Sequence, residues 1–150
     1  MEEVGDFEAS FVPSPKDFSR LDERFRLPDK TWESLSGYKD FGFVVCKLKK
    51  GNLKLTHPMA FEFPRRDPKK LFFPTVQIHD GAVHPKAEFS HLLLCQKMDQ
   101  DTFSVTHWRE SPKLPGKEIK SDKDGGLVDP ARHVYRLELT GERENVDKVF

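Results

Sequence analysis

The sequence predicts a mainly β, β-rich α+β fold: an antiparallel sandwich or strongly curved sheet of about six or seven strands with one N-terminal helix packed on it. Three observations predict it. Apolar residues recur with period two over most of the chain beyond Phe41. Phenylalanine is in excess, at 13 of 150 residues, and aromatic rings suit pleated, half-buried surfaces. No strand–helix–strand rhythm occurs, which disfavours a parallel sheet, and no internal repeat points to a propeller or solenoid. The length fits a single β-rich domain over 1–150, with 1–10 and 141–150 as loose ends. A chain 36% hydrophobic is too apolar for disorder and long enough to fold without disulfides or metal.

The first ten residues read as loose or as an edge strand. Ser14 then offers a helix cap, Pro15 occupies the first helical position, and Asp17 falls three residues after the cap. Phe18, Leu21 and Phe25 follow at helical spacing, so a helix is expected from Ser14 to Phe25, ended by Leu27-Pro28. A second short turn is expected from Trp32 to Leu35, capped by Thr31 and closed by Gly37.

From Phe41 the period becomes two. Phe41, Phe43 and Val45 alternate with Gly42, Val44 and Cys46, which predicts a central strand buried on both faces. Gly51-Asn52 marks a turn. Leu53 to Phe63 alternates again, with Pro58 placing that strand at an edge or a bulge. Leu71 to His79 reads as a strand bent at Pro74. Asp80-Gly81 between β-formers predicts a two-residue hairpin that pairs His79 with Ala82, Ile78 with Val83 and Gln77 with His84. Ala87 to Gln96 reads as a buried strand, Met98 to Asp101 as a turn, and Thr102 to Arg109 as a further strand. Ser111 to Gly126, rich in Pro, Gly, Lys and Asp, reads as a long functional or mobile loop. His133 to Thr140 predicts a half-buried last strand.

Charge limits the partners. Twenty-five basic residues balance 25 acidic ones, which argues against a general grip on nucleic acid or anionic lipid. No run approaches the ~20 apolar residues of a membrane span, and the acidic start is no secretory signal. Cys46 and Cys95 each sit in an apolar run, as buried free thiols do. The expectation is a soluble, cytoplasmic protein.

Two clusters offer chemistry. The expected hairpin sets His79 and His84 on one face, diagonal to each other and roughly 7–8 Å apart, within reach of a shared metal. His91 from the next strand and an oxygen of Asp80 or Glu88 would complete a histidine–carboxylate site for a divalent metal such as zinc, iron or manganese. The bland alternative is a set of partly exposed histidines beside a polar turn. The loop Arg65-Arg66-Asp67-Pro68-Lys69-Lys70, flanked by phenylalanines, offers Arg65, Arg66, Lys69 and Lys70 to a phosphate or an RNA base. Its bland alternative is a solvated loop between strands. Ser36-x-x-Lys39 lacks the partner motifs of acylating enzymes, and Asp122-Lys123-Asp124-Gly125 lacks the later oxygen ligands of a calcium loop. With no catalytic signature, the reading is a non-enzymatic binding domain for a protein partner or for self-association. Its contact is expected at the Asp80-Gly81 tip with the basic loop, or along Ser111–Gly126.

Overall fold

A β-hairpin opens the chain. In the computed structural model, which describes residues 2–49, 58–99, 101–117 and 125–150, β1 (Glu2–Val4) pairs antiparallel with β2 (Phe7–Val12). Gly5 turns between them at φ 55°, a conformation that glycine reaches without steric cost. Of the two expectations for this end, loose or an edge strand, the edge strand forms. β2 in turn pairs with β3 (Phe43–Leu48), with Val12 opposite Phe43 and Phe7 opposite Leu48.

The helix expected from Ser14 to Phe25 does not form. Two 3-10 turns, Pro15–Arg20 and Glu23–Phe25, replace it, with extended backbone at Leu21 and Asp22 between them. The Ser14 hydroxyl donates to the Asp17 carboxylate instead of capping the backbone. The Asp22 carboxylate accepts from the Arg24 amide and guanidinium and so starts a fresh turn. Such local side-chain bonds compete with a helix. The one α-helix among the described residues, α1 (Asp29–Ser34), follows Pro28, so the cap expected at Thr31 lies inside it. Phe18, Trp32 and Phe43 pack ring to ring at 4.8–5.4 Å, and Val12, Thr31 and Leu35 are buried.

These elements belong to one of two compact units, which comprises Met1–Phe63 and Ile78–Val83. The other comprises Pro64–Gln77 and His84–Phe150. In the second, β4 (Phe72–Phe73) pairs with β8 (Lys148–Val149). A three-stranded antiparallel sheet has the order β5 (Lys86–Gln96), β7 (Val134–Glu144), β6 (Arg109–Glu110). Phe89, Leu93, Trp108 and Leu139 form its buried core, with Phe73 and Phe150 packed on Trp108. The protein is thus mainly β, with three antiparallel sheets among the described residues, as the period-two pattern predicts.

Four expected β features are shorter or absent, three of them where side chains or turns take the backbone groups. The strand from Leu71 shrinks to Phe72–Phe73. Beyond Pro74, the Thr75 and Val76 amides donate to Asp147 and the Gln77 amide donates to Asn145. The Asp80-Gly81 ladder is absent: Asp80 Oδ1 accepts from the Ala82 amide, and the Gly81 carbonyl accepts from the Thr31 hydroxyl. The strand expected from Thr102 to Arg109 gives way to a turn closed by the Trp108 amide on the Val105 carbonyl, with Ser104 and Thr106 bonded to each other. Pro58 to Phe63 carries no strand. The Gly51-Asn52 turn, the strand portion Leu53 to His57, Lys54, and Asp122 to Asp124 lie outside the described residues.

The C-terminal end, expected to be loose, is paired as well. β7 continues through Gly141, which takes φ 78° opposite Phe89, and Phe150 exchanges two backbone hydrogen bonds with Leu71.

Candidate interaction surface

β5 alternates strictly. Ala87, Phe89, His91, Leu93 and Cys95 face the core, while Lys86, Glu88, Ser90, Leu92 and Leu94 face outward. Leu92 is 54% exposed and Leu94 52%. Across the strand Leu92 opposes Glu138 and Leu94 opposes Arg136, and these two charges pair with each other at 2.6 Å.

The ladder fixes where the backbone of β5 points. The Asn145 amide donates to the Pro85 carbonyl at 3.0 Å, one step beyond the Lys86–Glu144 pair. Hydrogen-bonded pairs alternate along an antiparallel ladder, so Ala87, Phe89, His91, Leu93 and Cys95 bond to β7. The far side of β7 agrees: the Ser111 amide reaches the Val134 carbonyl at 2.8 Å, which turns Val134 and Arg136 toward β6. The N–H and C=O groups of Glu88, Ser90, Leu92 and Leu94 therefore point to the other edge. The Gln77 side chain confirms it there, donating to the Glu88 carbonyl at 3.2 Å. No described strand pairs with that edge.

A long open edge is a template for pairing with another chain, and sheet edges are ordinarily blunted by charge, proline or bulges. From Phe89 to Gln96 this edge has none of the three.

The first unit's sheet carries a second apolar surface. Cross-strand partners share a face, so Phe7 with Leu48, Ala9 with Cys46 and Phe11 with Val44 line one side. The other side, with Val12 and Phe43, meets Phe18 and Trp32. Phe11 is 71% exposed, its ring lying across Gly42 so that a Cβ there would meet it at 3.0 Å. β3, expected to be a central strand buried on both sides, instead pairs with β2 alone among the described residues and exposes Val44.

The sequence-predicted site residues are placed as follows. His79 and Asp80 belong to the first unit, His84 and His91 to the second. The hairpin register that set His79 beside His84 is not formed. Among the described residues no group of three or more His, Cys, Asp and Glu side chains gathers as a metal requires. His91 lies against the Phe89 ring at 5.3 Å, and its Nδ1 is buried without a hydrogen-bond partner among the described residues. In the basic loop, Arg65 donates to the carbonyls of Lys70 at 2.7 Å and Pro68 at 2.9 Å, clamping its own loop. Asp67 holds the Lys69 amide, and Arg66, Lys69 and Lys70 are exposed. The Asp80-Gly81 tip, expected as a contact surface, sits against Pro28 and gives its carbonyl to Thr31.

Sequence reasoning missed the polar clamp made by Asn145 and Asp147. Buried Asn145 accepts from the Gln77 amide at 2.8 Å and donates to the carbonyls of Gln77 at 2.8 Å and His84 at 3.1 Å. It holds together the two points where the chain leaves and rejoins the second unit. Nothing in the charged stretch Glu142 to Lys148 singles these residues out.

Cys95 is inert rather than nucleophilic. Burial, with the negative charge of Asp101, pushes its thiol up to about 11. No described helix is long and apolar enough to cross a membrane. Comparison with protein-family models, with curated proteins and with solved structures finds no match.

Proposed function

We propose that this chain is a non-enzymatic protein-interaction domain that recruits its partner along the open edge of β5. One observation carries the reading: from Phe89 to Gln96 the edge strand is uncharged and unblunted, and its outward backbone groups run beside the exposed Leu92 and Leu94. Strand addition to such an edge draws affinity from main-chain hydrogen bonds and specificity from alternate side chains. The Leu92–Leu94 pair supplies the apolar anchor, and the Arg136–Glu138 pair beside it supplies a polar rim.

The test is site-specific cross-linking in living cells. A photoreactive benzoylphenylalanine in place of Ser90 should give an adduct of one discrete mass. The same group in place of Glu142, on the central strand, should give none. Adding Leu94→Lys should remove the Ser90 adduct. Equal adducts at both positions, or none at either, would overturn the reading.

A further inference from the structure

We infer that the partner on the β5 edge is a second copy of this chain, joined antiparallel about a two-fold axis at Leu93; this rests on the interaction reading above. The edge is self-complementary. A two-fold axis normal to the sheet keeps outward residues with outward residues, and with Leu93 on the axis Leu92 opposes Leu94 of the second copy. Four leucines then form one apolar patch across the junction. Ser90 opposes Gln96, whose amide is held within its own chain by Asp129 and the Arg132 carbonyl.

Electrostatics permits this union. No residue from Phe89 to Gln96 carries a formal charge, so no like charges meet along the new ladder, and the whole chain has net charge zero. The assembly also closes. The opposite edge of the same sheet is the two-residue β6, Arg109–Glu110, too short and too charged to continue the pairing. Two copies would share a six-stranded sheet and stop there.

The experiment is analytical ultracentrifugation of the full chain across a wide concentration range, paired with residue-resolved amide hydrogen exchange. A closed dimer is expected, with no larger species. In it the Ser90, Leu92 and Leu94 amides should exchange more than about tenfold slower than in the diluted monomer. The His91 and Leu93 amides, bonded to β7, should be slow in both. The Leu92→Lys/Leu94→Lys pair, on exposed positions, should keep the parent circular dichroism and lose the dimer. A protein monomeric at every concentration overturns the inference, as does a dimer whose Ser90, Leu92 and Leu94 amides stay fast. A monomer that still gives the Ser90 cross-link to a chain of different mass overturns self-pairing and leaves the interaction reading standing. A monomer without any cross-link overturns both.

Discussion

Asn145 holds more of the second unit in place than its position in a charged tail suggests. Three backbone groups, the Gln77 N–H and the Gln77 and His84 carbonyls, depend on its amide. Removing one side of a buried hydrogen bond leaves the other side unsatisfied, which costs more than the bond contributes net. Asn145→Ala should lower unfolding stability by about 3 kcal/mol in urea titration, and Asn145→Asp, which sets a buried carboxylate oxygen against the Gln77 and His84 carbonyls, should cost at least as much near neutral pH. Cys95 makes the second prediction at this scale. Its ordinary value is 9.0, and the folded thiol is pushed up to about 11. As pH rises through 9, the unfolded chain loses this proton first, so folding stability falls between pH 9 and 11. In a Cys46→Ser background, the alkylation rate of Cys95 should rise with a midpoint at about 11, not near 9. A midpoint near 9 would show that the thiol opens to water before it reacts.

Alternation made β5 and β7 legible: both are long, and each has one face buried in the core cluster. Position 93 and position 92 are both leucine, yet only the first touches the core. Leu93→Ala should therefore cost about 2–5 kcal/mol, and Leu92→Ala should stay within about 0.5 kcal/mol in the monomer. Thermal melts of the two variants at low concentration separate them. The strands expected at Leu71–His79 and Thr102–Arg109 have the same alternation and mostly fail to form. Periodicity reports which side chains want burial. It does not report that Asp147, Asn145, Thr31 and Ser104 will take the backbone groups a ladder needs. The N-terminal helix fails for the same reason, at Asp22. The candidate interaction edge was half legible: the apolar run Leu92–Leu94 stands in the sequence, but its edge position depends on which strand lies beside it. The histidine reading rested on a hairpin register, and that register is not formed.

At the scale of the molecule, the chain reads as β-rich from composition alone, while its division does not. Both units are discontinuous in sequence, since Ile78–Val83 belongs with Met1–Phe63. No composition change marks that excursion. A fragment of residues 1–63 lacks the Gly81 carbonyl that takes the hydroxyl of Thr31, a residue only 2% exposed. Such a fragment should show weak near-ultraviolet circular dichroism around Trp32. One carrying residues 78–83 on a flexible Gly-Ser tether should regain it. Equal spectra would mean the excursion adds nothing to that unit.

The fifty-residue separation of Thr31 from Gly81 also has a meaning in time. On a ribosome working at about 5–20 residues per second, the carbonyl is made roughly 3–10 s after the hydroxyl it will receive. Through that interval the Thr31 hydroxyl, buried in the folded chain, waits for the acceptor it will use.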